Sequence, residues 1–594
     1  MPKAKNQLIK AGLIVGLCIV LACVSWILDR ASMSIQLFTY GWSYGFWANA
    51  IPVAALFVLL LALFNRLVLA GLVTLVLVFA LYFANYLKLK YLAVPVSFGD
   101  VYLLENLHLA TLRLLTDYLK SGILIPVLLL VMAAIGILAW KERAFFVRRS
   151  IMRAGLGGLT LFFMISLGTG AQWLGRVYEA HKLRVIPYAP NMTILHAGLL
   201  GSLVYSDVER VRALDEPVDR AAAASLLALS PKPEPVKAEG SQRPDIVIVQ
   251  SESFFDPAIL ASLDDTRDLL PNIHRALAQG IGGTMDPPTF GGGTLRTEFE
   301  VLTGIPLAAY PQVEFPYLQI SQKKIPSIIQ VADRAGYATI AIHGNSGTFW
   351  NRSKAFQEIG FGQFLTKDDF SDDAPLDGTY LSDTAMTDEI IRKLSTAHAP
   401  TLIFAISIEA HGPYWGKSVA DPARRAAIPA PQGLHDEALQ EYRSYAYHIR
   451  NADQQLGRLW QFLAARHRPY VLMFYGDHLP SLPHVYKQSG FDNGQSGPLQ
   501  FVPWVIVGSG VGHRTVHVHS WMMGSEILEA AGVAPTPYYR SLASAEPELQ
   551  KDAAHQQAIE NGVYSMARLY LKGRLGEFIN SEKGPGDVAT DSSR

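Results

Sequence analysis

Long apolar runs are concentrated in the first 175 residues of the chain. A helix needs about 20 apolar residues to cross a bilayer. Five runs reach that length, and they lie at 8–28, 42–64, 67–87, 121–140 and 154–174. The first run continues into Asp29 without a small-residue cleavage site and four more follow it, so a cleaved signal peptide is not expected. The pattern predicts an α-helical membrane domain with five transmembrane helices.

Basic residues beside these runs predict how the helices are oriented. They lie before or at the start of the first run, between the second and third, and between the fourth and fifth: Lys3, Lys5, Lys10, Arg66, Lys141, Arg143, Arg148, Arg149 and Arg153. Such segments remain in the cytoplasm by the positive-inside rule. An odd number of helices then places the rest of the chain outside. We therefore expect a multi-pass protein of the cytoplasmic (inner) membrane with an extracytoplasmic, or periplasmic, second half.

The second half has a different hydrophobic pattern. Four short runs of Val, Ile, Leu and Phe without internal charges begin at Asp245, Tyr337, Thr401 and Tyr470. Runs of this kind predict strands buried on both faces, as in a parallel sheet. Helical patterns alternate with them, at 318–335, 384–397 and 436–466. This alternation predicts an α/β domain with a mostly parallel sheet flanked by helices.

The composition and these patterns suggest domain boundaries. We expect a membrane domain at 1–174, a connector at 175–243, a catalytic domain at 244–575 and a disordered tail at 576–594. Residues 88–120 are too polar to span and are predicted to lie at the membrane interface. The 51 basic and 51 acidic residues cancel, which gives no electrostatic reason to expect a nucleic-acid partner. Both cysteines, Cys18 and Cys23, fall in the first apolar run, so no disulfide is expected in the exported domain.

Polar residues follow the four predicted strands. Glu252 follows the first, His343 the second, His411 the third, and Asp477 with His478 the fourth. Ligands of open α/β sheets gather at the carboxyl ends of the strands. We therefore expect these side chains to converge on one site.

A glycine-rich segment, Phe290-GGGTLRTEF, adds a hydroxyl to this set. The apolar spacing after Thr294 predicts a helix that begins there, and free amides at a helix start favour an anion. A metal-stabilised Thr294 oxygen can attack phosphorus, although the same position also suits a simple N-cap. With Glu252, Asp477 and His478 it offers four oxygen and nitrogen ligands, which suit Mn²⁺ or Zn²⁺ better than Ca²⁺.

Three motifs resemble the alkaline phosphatase/sulfatase superfamily, and within it the membrane-anchored lipoteichoic acid synthase and phosphoglycerol transferase family. They are Val249-QSESF, Gly293-TLRTEF and Gly476-Asp477-His478. The resemblance implies a sulfatase-like catalytic domain in which Thr294 is both nucleophile and metal ligand. It also implies that Glu252, Asp477 and His478 hold one divalent metal. The family favours Mn²⁺, and Mg²⁺ or Zn²⁺ also suits the ligands.

A fourth segment, His343-GNSGTFWNR, resembles the part of this family that binds a glycerol phosphate head group. By that resemblance His343, Trp350 and Arg352 contact phosphoglycerol, and His411 lies at the scissile phosphate and transfers a proton. Packing roles for the two histidines and Trp350, and a helix-end role for Arg352, are the alternatives. Arg296 departs from the family pattern and is expected either to contact phosphate or to face solvent.

The resemblance implies a metal-dependent transferase. It would move phosphoglycerol from a phosphatidylglycerol-like donor to an envelope glycan or a glycerol phosphate polymer through an ester of Thr294. The alternatives are a phosphoethanolamine transferase, whose usual disulfides are missing here, and a non-catalytic membrane lipid-binding sensor. A true sulfatase needs Cys or Ser before x-Pro-x-Arg, which Thr294-LRTE does not supply.

Overall fold

A computed structural model provides the architecture of the protein. It describes residues 2–33, 43–92, 95–96, 124–147, 150–185, 190–215, 218–230, 243–261, 268–311, 313–320, 325–347, 349–414, 416–429 and 431–582. The chain forms two compact units, Met1–Glu216 and Pro217–Arg594. Each unit is described separately below.

The N-terminal unit is helical. Its α-helices are Pro2–Met33, Tyr44–Phe64, Leu67–Leu92, Leu124–Lys141, Ile151–Gly168, Ala180–Leu183 and Pro190–Asp215. Among the described residues of this unit, four stretches are long and apolar enough to cross a membrane: Gln7–Ala31, Tyr44–Phe64, Leu67–Lys88 and Ile151–Gly168. These four coincide with predicted spans. The fifth predicted span, 121–140, coincides with Leu124–Lys141, whose described apolar part, Leu130–Lys141, is shorter. Most of the predicted interfacial segment, 97–120, lies outside the described residues.

The Asp29 carboxylate is buried among the helices of this unit, and a broken helix explains its position. Gly198 interrupts Pro190–Asp215 with φ +70°. A side chain there would meet Asn49, because a Cβ atom would lie 2.4 Å from Asn49 Cγ. The amide of Leu199 donates to Asp29 Oδ1 at 2.9 Å, and Asn49 Nδ2 donates to Asp29 Oδ2 at 2.9 Å. Asp29 therefore satisfies polar groups that the break exposes.

The second unit is built on a nine-stranded sheet and a small hairpin. Its strands are β1 (Asp245–Ser251), β2 (Ile281–Asp286), β3 (Ala338–His343), β4 (Gln363–Leu365), β5 (Leu376–Asp377), β6 (Tyr380–Leu381), β7 (Thr401–Ile406), β8 (Tyr470–Gly476), β9 (Val502–Gly508), β10 (Arg514–Thr515) and β11 (Val518–His519). The sheet order is β10-β2-β9-β8-β1-β7-β3-β4, with β11 also on β2, and β5 pairs with β6. All sheet pairs are parallel except the two made by β9.

The centre of the sheet is buried on both faces. Every residue of β1 and β7 is buried, and all of β8 except Tyr470. The helices of this unit are Arg220–Leu229, Pro271–Leu277, Thr294–Thr303, Pro316–Gln319, Ile328–Arg334, Arg352–Ile359, Asp383–Ser395, Pro422–Ala426, Asp436–Ala465, Pro483–Ser489, Met523–Ala530, Pro537–Leu549, Ala553–Leu571 and Leu575–Glu582. The predicted α/β class, with its mostly parallel sheet flanked by helices, is confirmed.

Two details differ from the sequence prediction. The helical pattern at 318–335 forms two helices, Pro316–Gln319 and Ile328–Arg334. Pro326 precedes the second helix, and Ser327 begins it by accepting a hydrogen bond from the amide of Gln330 at 3.2 Å. The antiparallel strand β9 was not foreseen.

The structure also divides the segment predicted to be a connector. Its helices Ala180–Leu183 and Pro190–Asp215 belong to the N-terminal unit, and Arg220–Leu229 belongs to the second. The last described helix, Leu575–Glu582, extends into the predicted tail, whose remainder, 583–594, lies outside the described residues.

Candidate active site

The carboxyl ends of two neighbouring strands bring the predicted metal ligands together. β1 and β8 are paired in parallel, with Ser251 opposite Gly476. Glu252 and Asp477 follow these two residues directly, so they emerge side by side at the same edge of the sheet. Both carboxylates are buried.

Thr294 reaches this edge from the glycine-rich turn. Three consecutive glycines, at 291–293, have φ of +72°, +155° and +83°, a conformation that other residues adopt only with strain. The helix Thr294–Thr303 starts immediately afterwards with Gly293 as its N-cap. Thr294 is therefore not the N-cap, which excludes that alternative. Its hydroxyl instead donates to Glu252 Oε2 at 3.2 Å.

The four side chains form one buried cluster. Thr294 Oγ1 lies 3.5 Å from His478 Nε2. That nitrogen lies 3.4 Å from Asp477 Oδ2 and 3.7 Å from Glu252 Oε1. Ligand atoms around a tetrahedral metal with bonds of about 2.0–2.1 Å are separated by about 3.3 Å. The cluster therefore has the dimensions of a tetrahedral site.

Neighbouring hydrogen bonds orient the ligands. His478 Nδ1 lies 2.9 Å from the carbonyl oxygen of Leu479, to which it must donate, so Nε2 carries the free lone pair. Asp477 Oδ1 accepts from the amides of Ser253 and His478 at 2.7 and 2.8 Å. Asp477 Oδ2 is buried and has no hydrogen-bond partner among the described residues. This oxygen is therefore free to bind a cation.

The electrostatics of the cluster also favour a cation. The pKa of Asp477 is raised to about 7, chiefly by burial; His478 opposes this shift, and the nearby Glu252 carboxylate adds to it. Burial would raise the pKa of Glu252 too, but His411 and His478 hold it below its usual value. Two buried carboxylates are costly without a positive charge. A divalent metal would offset that cost, so the residues fit one.

We expect Asp477→Asn to lose at least about tenfold in bound divalent metal, because the substitution removes a negatively charged ligand. The measurement is the metal content of the full-length protein after dialysis against Mn²⁺ or Zn²⁺. Asp492→Asn is the matched control, since Asp492 is exposed. Equal metal content in the Asp477 variant and wild type would contradict this assignment.

Arg352 lies in a second buried group beside the metal cluster. Its guanidinium holds Glu298 bidentately, with Nε 3.1 Å and Nη2 3.0 Å from Oε2. Its Nη1 lies 3.3 Å from His343 Nε2. His343 Nδ1 lies 3.2 Å from the carbonyl oxygen of Ile406, so Nδ1 is protonated and Nε2 accepts. Burial and then Arg352 lower the pKa of His343 well below its usual value, so this imidazole is neutral.

An aromatic wall stands next to this ion pair. Trp350 stacks on Phe315, with ring centroids 4.9 Å apart and planes 20° apart, and Phe349 meets its edge at 4.8 Å. Trp350 and Asn351 both have left-handed backbones, with φ of +58° and +60°. This conformation is unfavourable for residues other than glycine and must be held by packing.

Arg296 is half-buried and is held by backbone carbonyl oxygens, so it does not simply face solvent. Its Nε donates to the carbonyl oxygen of Pro288 at 3.2 Å, and its Nη1 donates to those of Val313 and Glu314 at 2.5 and 3.3 Å. Pro288 belongs to the segment leading to Thr294, and Glu314 precedes the Phe315 platform. Arg296 therefore connects the glycine-rich turn before Thr294 to the aromatic wall.

Replacing Arg296 with methionine should leave metal binding intact and raise the KM for a lipid donor by about tenfold or more. The reason is that three backbone carbonyl oxygens lose their hydrogen-bond donor. Each buried carbonyl left without a partner costs about 1–3 kcal/mol of free energy, and the segment that carries Phe315 is no longer held by Arg296. Steady-state kinetics and metal content of the full-length variant are the measurements. Arg392→Met is a control, because Arg392 is exposed and pairs only with Glu389 among the described residues. An unchanged KM would show that the wall does not depend on Arg296.

His411 follows β7 at the same edge of the sheet. Its Nδ1 lies 2.8 Å from the carbonyl oxygen of Gly412 and 3.4 Å from the hydroxyl of Tyr380. Because Nδ1 donates to the carbonyl, Nε2 remains available for proton transfer. His411 is the largest electrostatic influence that lowers the pKa of Glu252, which places it beside the cluster.

Two residues beside the site, Glu298 and Lys417, were not predicted from the sequence. Glu298 lies one helical turn after Thr294, so both side chains are on one face of the helix. This spacing could have identified Glu298 as a neighbour of the site. Lys417 donates to the carbonyl oxygens of Glu409 and His411 at 2.7 and 2.8 Å, and burial lowers the pKa of this amine to about 8. No short motif contains Lys417.

The sequence also did not predict a second buried cluster of titratable side chains. One potential ligand atom from each of Asp377, Glu409 and His448 lies within 4.8 Å of the others, as in a metal site. However, His448 Nδ1 and Asn451 Nδ2 already lie 2.9 and 2.6 Å from Glu409 Oε1. These contacts anchor the turn that carries His411.

Comparisons with known proteins place the second half of the chain among known sequences. The sulfatase family model matches residues 244–533. A putative cyclic beta-1,2-glucan modification protein of Rhizobium meliloti (strain 1021) is 33% identical over 263 residues, which are 44% of this chain. The match covers 40% of that relative, so the chain spans about two fifths of its length.

Two solved structures share the fold. Streptococcus pyogenes phosphoglycerol transferase GacH, in complex with sn-glycerol-1-phosphate, superposes with a TM-score of 0.50 at 20% identity over 63% of this chain and 95% of its own. Lipooligosaccharide phosphoethanolamine transferase A from Neisseria meningitidis, an integral membrane protein, gives a TM-score of 0.53 at 14% identity over 90% and 98%. The metal-sized cluster at the carboxyl edge of this sheet lies within 244–533, the part of the chain that matches the sulfatase family model, and this part follows an N-terminal region of membrane-type helices.

Proposed function

We propose that this protein is a metal-dependent phosphotransferase that moves phosphoglycerol from a phosphatidylglycerol-like lipid to an envelope glycan or a glycerol phosphate polymer. The observation that carries the proposal is the position of Thr294. Its hydroxyl lies among the metal ligands, 3.2 Å from Glu252 Oε2, at the open start of a helix. One turn later in that helix, Glu298 holds Arg352 of the head-group segment. A nucleophile and a pocket for phosphate are thus built on one helix.

The first half-reaction forms an ester on Thr294. Thr294 reacts, and is later released, in its ionised form: its oxygen attacks phosphorus, and the bond from phosphorus to the diacylglycerol oxygen breaks. A divalent metal, when bound, would favour the ionised hydroxyl and offset charge on the phosphoryl oxygens. His411 Nε2 supplies the proton that the departing alkoxide needs. The free amides at the helix start favour the anionic phosphoryl group.

The second half-reaction regenerates the enzyme. The acceptor hydroxyl attacks the phosphothreonine and gives its proton to His411 Nε2, while the bond from phosphorus to Thr294 breaks. The contacts of Lys417 and Gly412 hold His411 in one orientation through both steps. The same imidazole thus returns to its starting state.

The pocket favours glycerol over ethanolamine as the head group. Glu298 is neutralised by Arg352, and His343 is neutral, so neither offers a counter-charge to an ammonium group. The guanidinium retains N–H groups beyond those that hold Glu298 and His343, and these can bind phosphate oxygens. Trp350 offers an apolar wall to the glycerol carbons.

The acceptor proposal follows the relative from Rhizobium meliloti. Its name describes modification of a cyclic beta-1,2-glucan. A glucan presents many primary hydroxyls outside the cytoplasmic membrane, on the side where the basic residues beside the spans would place this domain. We therefore propose an envelope glucan as acceptor ahead of a glycerol phosphate polymer.

The test uses full-length protein with Mn²⁺, and in parallel Mg²⁺ or Zn²⁺, and two fluorescent donors. Phosphatidylglycerol and phosphatidylethanolamine are supplied separately, with and without cyclic beta-1,2-glucan. We expect diacylglycerol from phosphatidylglycerol and a glucan heavier by one phosphoglycerol in mass spectrometry. Release from phosphatidylethanolamine alone would establish the ethanolamine alternative. No release from either lipid, together with no bound metal, would establish a non-catalytic lipid sensor.

A further inference from the structure

Exposed large apolar side chains are confined to one part of the catalytic domain. Among the described residues of 243–582 there are four of them. They are Phe349, Leu376, Leu499 and Phe501, which are 45%, 57%, 59% and 41% exposed. Single exposed apolar residues are common on soluble proteins and need no explanation. The position that these four residues share in the domain does require an explanation.

Two of the four lie beside the head-group pocket and His411. Phe349 contacts the edge of Trp350 and follows β3, whose last residue is His343. Leu376 starts the β5–β6 hairpin. In that hairpin Tyr380 reaches Nδ1 of His411.

The other two lie beside the nucleophile turn and the metal ligands. Leu499 ends the short helix Gly497–Leu499, and Gly497 packs against the ring of Phe290, which opens the glycine-rich turn. Phe501 precedes β9. Because β9 runs antiparallel to β8, it begins at the edge of the sheet where β8 ends in Gly476. All four residues therefore surround the carboxyl edge of the sheet, and we call them the apolar rim.

The opposite edge of the sheet has a different character. At the amino end of β1, Asp245 is paired with Arg466 at 2.9 Å and with Arg468 at 3.3 Å. Arg243 and His398, just before β1 and β7, are exposed. All four exposed large apolar side chains described for 243–582 thus lie at the carboxyl edge and none at the amino edge, although exposed aspartates such as Asp372 and Asp373 precede Leu376.

We propose that the apolar rim lies against the surface of a lipid bilayer, so that a lipid head group enters the site directly from the membrane. The inference rests on the proposed function, in which the donor is a two-chain lipid. It commits to a bilayer because the described part of the chain includes four helices that are apolar and long enough to enter one. Aromatic and leucine side chains on a surface favour the membrane–water interface. A rim in contact with lipid spares the acyl chains from crossing water.

The first test places a fluorescent probe on the rim. Cys18 and Cys23 are replaced by alanine in the full-length protein, and Leu376→Cys or Leu499→Cys is labelled with an environment-sensitive dye. The protein is reconstituted in nanodiscs of phosphatidylglycerol and phosphatidylcholine. His398→Cys is the matched control at the opposite edge. The readout is quenching by lipid-borne and by water-soluble quenchers, and it requires no turnover.

We expect lipid-borne quencher to reduce emission from the two rim positions at least about threefold more than emission from position 398. Quenching of the rim by the aqueous quencher alone would overturn the proposal. Protection from both quenchers would also overturn it, because the rim would then be covered by protein, such as a second copy of the chain. Neither result depends on which lipid is the donor, so failure here is distinct from failure of the proposed function.

A second experiment, by enzyme kinetics, tests whether contact between the apolar rim and the bilayer helps the donor lipid to enter the site. The variant Leu376→Asp/Leu499→Asp should raise the apparent KM for bilayer phosphatidylglycerol by about tenfold or more. With a short-chain, water-soluble phosphatidylglycerol its rate should match wild type, which also shows that the variant is folded. Equal KM values on bilayer donor would exclude a role for the rim in donor entry.

Discussion

Replacing Thr294 with alanine is expected to lower diacylglycerol release by at least about 10⁴-fold, because the reaction loses the atom that attacks phosphorus. The loss should appear in kcat rather than in donor binding, since Arg352, His343 and Trp350 stay in place. Metal content should fall less than in Asp477→Asn, because Thr294 contributes a neutral oxygen to the cluster. Thr294→Ser keeps the hydroxyl and should retain part of the activity.

The matching control for this variant is Thr303→Ala. Thr303 lies in the same helix, is buried, and donates to the carbonyl oxygen of Phe299, away from the cluster. It should lose stability but keep its turnover. Mass spectrometry of wild type mixed with donor, without acceptor, should find phosphoglycerol on Thr294 and none on the alanine variant. Turnover in Thr294→Ala near the wild-type rate would refute the covalent route.

The sequence allowed the metal cluster to be predicted because one physical rule governs it. Buried apolar runs identify parallel strands, and polar residues directly after such strands must meet at one edge of the sheet. Glu252 and Asp477 are 225 residues apart in the chain, yet the paired strands bring them together. Thr294 was predictable because three glycines before an amphipathic pattern indicate a turn and a helix start.

The surroundings of the cluster could not be predicted in the same way. The partner of Arg352 is Glu298, 54 residues earlier in the chain, and no local pattern specifies which carboxylate a buried arginine will meet. Arg296 was expected to contact phosphate or face solvent, and nothing in the sequence indicated that its guanidinium donates to the carbonyl oxygens of Val313 and Glu314. Such contacts are decided by tertiary packing, to which a single sequence gives little access.

The buried pair of Glu298 and Arg352 gives the second large expected effect. The side chains are 0% and 2% exposed, so removing either charge leaves the other without its partner in a medium that solvates it poorly. We expect Glu298→Gln and Arg352→Met each to cost about 3–5 kcal/mol in the free energy of unfolding. Chemical denaturation of the full-length protein in detergent is the measurement. Lys354→Met, which breaks an exposed pair with Glu358, should cost no more than about 0.5 kcal/mol.

The double variant Glu298→Gln/Arg352→Met separates stability from function. With both charges removed, no ion remains buried, so much of the lost stability should return and the two single effects should not add. Activity should not return, because phosphate has lost the guanidinium that would bind its oxygens. Recovery of both quantities together would mean that Arg352 serves only the fold. Recovery of stability alone would assign the arginine two roles, in which Glu298 fixes one side of the guanidinium and leaves the other side for substrate.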